Sequence, residues 1–374
     1  MLLYAGRDGT LPVHLLTGRA NFRFEALTVA ATLRHLGFFI AMAGLSAVVV
    51  RSMIAWGPID RPDARKAHAQ PVPKGGGVGV VVAFLVGIAL LYATAGFARL
   101  ADPYFRGLIV ASVAMAGVAW LDDVREWPFT IKLGAQIGAA VLAVGSGLWV
   151  DTLNLPGVGP VGLGWVGVPL SLGWILFATN AVNFMDGLNG LVAGSCALAS
   201  LVLAGLAAGM GGWFVYAAGG LLGAGLLGFL PFNFPRARIF LGDVGSQFCG
   251  FVLAVLTVAA GRFQGVELSV LLVPMLLMGL LYDVAFTLIR RAIAGERVTQ
   301  PHRSHLYQIA HRSGMAAARI SLMHFGFVGW GALCCLAFLG SAGVWKPLAV
   351  LAVIVPQLGW TAFVIRRGRS LERW

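Results

Sequence analysis

The sequence predicts an all-α integral membrane protein, a polytopic bundle of about eleven transmembrane helices with active-site loops on the cytoplasmic side. Three observations carry this. Hydrophobic residues make up 59% of the 374 positions and charged residues 11%, against roughly half and a quarter in soluble domains. The apolar residues gather in runs of about 20, the length of one bilayer crossing. Arginine and lysine fall mainly in alternate loops. The alternating short strands of a β-barrel are missing from the pattern.

The runs in order are 30–55, 76–97, 106–121, 131–150, 166–180, 190–209, 213–231, 246–261, 267–290, 318–340 and 344–366. The chain divides accordingly into an N-terminal extension (1–29), a transmembrane domain (30–366) and a basic cytoplasmic tail (367–374). Met1 to Glu25 mixes Arg7, Asp8, Arg19, Arg23 and Glu25 with no sustained apolar stretch. It therefore lacks the apolar core of a cleavable signal and fits an interfacial segment or an upstream extension. Gly219, Gly223 and Gly228 recur at helical spacing, which suits close helix packing in lipid. Cys196, Cys249, Cys334 and Cys335 all fall in apolar runs without metal-type spacing, and read as small core residues.

The net charge of +12 would suggest nucleic acid in a soluble protein; here it is first a statement about sidedness. Nineteen Arg and Lys residues, from Arg51 to Arg373, lie in or border one set of loops. The opposite loops carry Arg99, Arg106, Arg262 and Lys346. The positive-inside rule makes the first set cytoplasmic, although Arg7, Arg19, Arg23 and Arg34 fall on the other side. Asp122, Asp123, Asp186, Asp243, His302 and His305 then share the cytoplasmic face.

Four segments on that face hold chemistry-bearing residues. The first, Asn180-Ala-Val-Asn183-Phe-Met-Asp186-Gly187-Leu-Asn189-Gly190, is poor material for a spanning helix. Asn and Asp bond their own backbone and Gly favours turns. A carboxylate at a membrane boundary is costly without a partner, so this is either a capped helix-end turn or a functional site. In the second, Asp122-Asp123 ends a span, and two adjacent ionised carboxylates call for a cation. Mg²⁺ commonly binds one or two carboxylates together with substrate phosphates; a solvated helix end beside Lys132 and Arg125 is the plainer account. The third, Gly242-Asp243-Val244-Gly245-Ser246, opens a helix. Its first-turn N–H groups and dipole end suit phosphate or a simple N-cap.

Pro71-Val-Pro73-Lys74-Gly75-Gly76-Gly77 fails as a dinucleotide fingerprint, since no strand precedes it. It is either a connector or a lysine beside flexible backbone that meets phosphate. The fourth segment, Pro301-His302-Arg303-Ser304-His305-Leu306-Tyr307-Gln308, lies in the longest cytoplasmic loop. Zinc is disfavoured there for want of cysteines, and Arg and His donors gripping a diphosphate fit better. Asp283, inside the ninth run, reads as a pairing group for an arginine such as Arg290 or an internal polar group, not as a catalyst.

In this order, PVPKGGG, Asp122-Asp123, NAVNFMDGLNGL, GDVGS and the histidine loop resemble the polyprenyl-phosphate N-acetylhexosamine-1-phosphate transferases. The resemblance runs from about Pro71 to Gln308. It implies ten or eleven helices in a bacterial inner membrane and a cytosolic site. It also implies transfer of sugar-1-phosphate from a UDP-N-acetylhexosamine to undecaprenyl phosphate, with release of UMP. Asp122, Asp123, Asp186 and Asp243 are then the catalytic carboxylates, with Asp243, Asp122 and Asp123 on Mg²⁺ (or Mn²⁺). Lys74, Asn180, Asn183, Asn189, His302, Arg303 and His305 are the substrate-binding residues. Membrane lipid and a second copy of the chain are further expected partners; nucleic acid is not. Many members have Asp where this chain has Asn189. PHRSHLYQ also departs from the consecutive histidines of the peptidoglycan enzyme, which argues against a muramyl-pentapeptide substrate and for the branch that initiates O-antigen-like glycans.

Two other classes compete. A transporter or flippase would place ionisable groups at mid-membrane in a repeated architecture, and a CDP-alcohol phosphotransferase would carry further aspartates after Asp186-Gly187. Neither pattern is present in the sequence.

Overall fold

The computed structural model describes residues 29–60, 71–95, 104–125, 127–262, 268–297, 300 and 302–370. The N-terminal extension up to residue 28, Arg61, Arg65, Lys66, Arg99 and residues 371–374 lie outside the described residues.

The helices are α1 (Val29–Trp56), α2 (Gly77–Thr94), α3 (Tyr104–Arg125), α4 (Phe129–Gly145), α5 (Gly167–Phe184), α6 (Leu191–Gly209), α7 (Trp213–Asn233) and α8 (Gly242–Arg262). They continue as α9 (Leu272–Leu276), α10 (Met278–Ile293), α11 (Leu306–Arg312), α12 (Ala317–Gly340), α13 (Lys346–Ala352) and α14 (Val355–Ser370). Among the described residues, nine helical stretches are long and apolar enough to cross a membrane, and the protein is an all-α, multi-pass membrane protein.

Three of the expected spans are shorter or broken. The run at 131–150 forms only the 17 residues of α4. The run at 267–290 breaks at Leu277 into α9 and α10; Pro274 falls in the first turn of the short piece, where its missing N–H costs no helical bond. The run at 344–366 becomes α13 and α14, with Pro356 in the first turn of the second, the one helical position that tolerates it. Two small antiparallel ribbons were not predicted. β1 (Ile59–Asp60) pairs with β2 (Val72–Pro73), and β3 (Thr152–Leu155) with β4 (Gly159–Gly162).

The bundle is arranged around α8. Every residue from Val244 to Ala260 is buried, whereas α1 exposes Leu33, Leu36, Ile40 and Val48. A helix apolar on all sides belongs in the centre of a bundle, and α8 packs there against α2, α3 and α5. Small residues permit the approach. A side chain at Gly77, in the first turn of α2, would collide with the Gly245 backbone in the first turn of α8. The segment before α2 is also tied to the one before α8. Phe240 N–H donates to the Pro73 carbonyl (2.8 Å), Gly76 N–H to Phe240 (2.9 Å) and Gly77 N–H to Leu241 (2.8 Å). Asp243 thus stands at the mouth end of the most deeply buried helix.

Candidate active site

A cavity of about 940 Å³ opens at that end, and every loop predicted to share the charged face contributes to it. Its lining includes Asp60, Lys74, Asp122, Asp123, Lys132, Asn183, Asp186, Asn189, Asn233 and Asp243, with Arg303, Tyr307, His311 and Arg312 opposite.

The floor is built on Asp243, whose side chain is 31% exposed and faces the opening. Its Oδ1 accepts from Asn183 Nδ2 (3.1 Å). Its Oδ2 accepts from Lys132 Nζ (3.1 Å) and Gln247 Nε2 (3.3 Å). Lys132 also forms an ion pair with Asp122, which is buried and accepts the Trp127 N–H at 2.8 Å. One ammonium therefore draws together the carboxylates of two helices that would otherwise repel.

Asp123, one residue along, points elsewhere. Its oxygens accept the backbone N–H groups of Asp243 (3.2 Å) and Val244 (2.9 Å), with Lys74 Nζ at 3.8 Å. This is an N-cap supplied by a different helix, and the dipole end of α8 favours the negative charge. Gly242, at φ +77, makes it fit, since a Cβ there would lie 2.7 Å from Asp123 Oδ2. Of the two readings of this helix start, phosphate or a simple N-cap, the structure shows a cap, supplied by the protein's own Asp123 carboxylate. The Gly76 and Gly77 amides are likewise committed to backbone carbonyls, so from the PVPKGGG segment it is Lys74 that lines the cavity.

Asp186 sits in the turn between α5 and α6, half-buried in the cavity wall, with no hydrogen bond to its carboxyl among the described residues. Burial, reinforced by the charges of Asp243 and Asp123, pushes it up to about 8. Asn189 lines the cavity and reaches the Pro235 carbonyl at 3.4 Å. Asn180 is not among the lining residues. It lies one turn below Asn183 and donates to Gln136 Oε1 (2.7 Å).

The opposite wall is α11 and the strand of chain before it. Asp283, wholly buried, accepts the N–H groups of Leu306 (2.8 Å) and Tyr307 (3.0 Å) and meets His305 Nδ1 at 3.3 Å. The carboxylate capping α11 therefore comes from α10, and His305 is drawn inward with it to 3% exposure. His302 lies beside His305, the rings tilted by 40° with centroids 4.9 Å apart, and its Nδ1 meets Ser304 Oγ. Neither histidine is among the lining residues; Arg303, Tyr307, Gln308, His311 and Arg312 are. Tyr307 is buried, and its hydroxyl donates to the Phe184 carbonyl (3.1 Å), joining this wall to the Asp186 turn.

The arrangement sets oxygen ligands against cations. Among the described residues, no three His, Cys, Asp or Glu side chains form a ready metal cluster. Asp122 and Asp243 nevertheless fit a hard divalent cation. Both are carboxylates, they converge on one point, and the structure already places a positive charge between them. Asp123, with both oxygens on backbone amides, fits the role of positioning Asp243. Sequence reading passed over Lys132, Asn233, His311 and Arg312 as site residues. Lys132 did leave a signal: it is one of four lysines in the chain and opens an otherwise apolar helix.

The comparisons with known proteins point one way. The model of glycosyl transferase family 4 matches residues 105–261, the stretch that builds the cavity floor. A decaprenyl-phosphate N-acetylglucosaminephosphotransferase of Mycolicibacterium smegmatis is 30% identical over 372 residues, covering 88% of this chain and 89% of its own. A probable undecaprenyl-phosphate N-acetylglucosaminyl 1-phosphate transferase of Bacillus subtilis is 28% identical over 313 residues, covering 83% and 85%. A phospho-N-acetylmuramoyl-pentapeptide-transferase of Synechococcus is 36% identical, but over 41% of this chain and 47% of its own. A relative 30% identical across 88% of this chain and a family model seated on the floor helices give the same answer as the ordered motifs: the chain belongs to glycosyl transferase family 4.

Proposed function

We propose that the protein transfers N-acetylhexosamine-1-phosphate from a UDP-sugar to a polyprenyl phosphate, undecaprenyl phosphate in the first instance, releasing UMP. The observation that carries this reading is the cavity itself. Asp122 and Asp243 on the floor, Asp186 where floor and wall meet, and the cationic side chains of Lys74, Arg303, His311 and Arg312 line one opening at the end of a membrane bundle. Two phosphate-bearing substrates, one water-soluble and one a lipid, can meet there. The relatives named for N-acetylglucosamine transfer, which match more than four-fifths of this chain, favour that sugar over the muramyl-pentapeptide, whose named relative matches 41% of it.

In this reading the cationic wall holds the diphosphate, by charge-assisted hydrogen bonds from Arg303 and Arg312. Lys74 and Lys132 neutralise the lipid phosphate as it approaches. That phosphate is already anionic at neutral pH, so positioning and charge neutralisation carry most of the rate. Mg²⁺ held by Asp122 and Asp243 would supply charge stabilisation of the transferring phosphoryl group. The leaving group is UMP, and the new bond is the diphosphate linkage of the lipid-linked sugar. The cavity faces the cytoplasm, where UDP-sugars are made, and the product initiates a cell-surface glycan of the O-antigen type.

The test uses purified protein in detergent with undecaprenyl phosphate, Mg²⁺ and a panel of UDP-N-acetylhexosamines, following UMP. Release that needs lipid, metal and one sugar is the expected result. Full turnover in excess chelator would remove the metal. The absence of UMP with every sugar, in protein shown to be folded, would favour transport of an anionic solute.

A further inference from the structure

Directly beneath the cavity floor lies a second polar layer that nothing in the proposed chemistry uses. Helices α4, α5 and α8 each carry a pair of polar residues about one turn apart: Lys132 and Gln136, Asn183 and Asn180, Asp243 and Gln247. At the floor Asp243 accepts from the first members of the other two pairs, Lys132 and Asn183. The second members are linked in a chain below them. Asn180 Nδ2 donates to Gln136 Oε1 (2.7 Å), Gln136 Nε2 to Gln247 Oε1 (3.0 Å), and Gln247 Nε2 to Asp243 Oδ2 (3.3 Å). Gln136 and Gln247 are each 3% exposed.

The direction of this chain is set by its last member. An ionised carboxylate accepts and cannot donate, so Gln247 must turn its NH₂ toward Asp243. Its carbonyl is then left for the NH₂ of Gln136, whose own carbonyl takes the NH₂ of Asn180. The far end is anchored, because Asn180 Nδ2 also donates to the Leu176 carbonyl at 2.8 Å. Each amide has one orientation, and together they fix the plane of the Asp243 carboxylate from below while Asn183 and Lys132 fix it from the side. Neutral amides achieve this without adding charge to the floor. Paired amides buried in an apolar bundle give little net stability, so the layer's effect falls on geometry.

We propose that Gln136 and Gln247 are positioning residues that orient Asp243 through this amide chain. The proposal deepens the transfer reading and rests on it for its kinetic arm; its binding arm does not. The variants are Gln136→Leu, Gln247→Leu and the double change, with Thr257→Val as a control. Thr257 is buried on the same helix as Gln247, and among the described residues its hydroxyl donates to the Leu253 carbonyl one turn back and to no other helix.

Each single Gln variant is expected to lower kcat by roughly 10- to 100-fold, the range for residues that orient metal ligands. KM for the UDP-sugar should stay close to wild type, and the double variant should be no worse than the single ones, because the chain is cut once. In detergent without substrates, Mn²⁺ affinity read by electron paramagnetic resonance should weaken by roughly 10-fold, while the melting temperature falls by only the few degrees expected for the buried amides left unpaired and no further in the double variant. The control should match wild type throughout. Additive losses that follow a falling melting temperature, or unchanged kcat and Mn²⁺ affinity, would overturn the proposal. If the wild type binds Mn²⁺ but releases no UMP, the transfer reading fails, and the Mn²⁺ titrations of the variants still decide the role of the amides.

Discussion

The floor and the wall of the cavity are held in different ways. On the floor each of three carboxylates has its own counterpart: Asp122 has Lys132, Asp123 the start of α8, and Asp243 three donors from three helices. The wall is a seven-residue helix too short to be stable by itself. It is fixed from behind by a single buried carboxylate, Asp283. The family model covers the floor and ends before the wall. In the proposed reaction this division would give the phosphoryl chemistry to the floor and the grip on the soluble substrate to the wall. Damage to the two regions should therefore look different in kcat, KM and stability.

The largest effect is expected at the floor. Asp243→Asn keeps the shape and a hydrogen-bonding oxygen but removes the charge that meets Lys132. We expect kcat to fall by roughly 1000-fold, as for loss of a main electrostatic group, with an unchanged melting temperature. Turnover near wild type in folded protein would take Asp243 out of the mechanism. Asp123→Ala should separate cap from catalyst. It removes the acceptor of two backbone N–H groups at a buried helix start, at a cost of about 2 kcal/mol. A melting temperature lower by several degrees is the expected result, and normal stability with lost activity would instead make Asp123 a direct participant.

The wall should fail differently. Asp283→Ala leaves two buried N–H groups without an acceptor, each costing about 1–3 kcal/mol, and releases α11 from its anchor. KM for the UDP-sugar should rise by roughly 10-fold, while kcat changes less. An equal fall in kcat and kcat/KM would show that the wall acts in the transition state. A smaller change follows from Arg303→Ala, which removes one cation at the cavity edge. We expect KM to rise by a few-fold, about 1 kcal/mol for a partly exposed ion pair, and the difference from wild type to shrink as salt is added.

The sequence made the floor easier to read than the wall, for physical reasons. Asp186 and Asp243 stand out because carboxylates among glycines and asparagines break an apolar pattern. The adjacency of Asp122 and Asp123 forecast a compensating cation, and Lys132 is that cation. What adjacency could not reveal is that the two carboxylates diverge, Asp122 toward the cavity floor and Asp123 to α8, because the partner of Asp123 is a helix end 120 residues away. Gln136 and Gln247 were invisible for a related reason: a lone amide in an apolar run acquires meaning only from the helix opposite. On the wall, the motif gathered Arg and His donors in one loop but could not say which of them would face the cavity. The phase of α11 is set by Asp283, so His311 and Arg312 face the cavity and His305 lies behind it.

Asp186 lies where the two regions meet, and it gives the mildest test of how they are coupled. Its carboxyl is raised to about 8 by burial and by the charges of Asp243 and Asp123, against about 3.9 in an unfolded chain. The folded protein therefore holds a proton here that the unfolded chain has released. The sign follows: stability tied to this group is complete below the unfolded value and is lost as pH rises through about 8. Asp186→Asn has no such proton. With chelator present to exclude metal, the melting temperature of wild type should fall relative to Asp186→Asn between about pH 6 and 9. Asp122, Asp123 and Asp243 are common to both proteins, so their own titration largely cancels in the difference. Parallel melting curves would mean that Asp186 is already ionised and compensated, with the wall, through Tyr307 and its neighbours, shielding it from the floor.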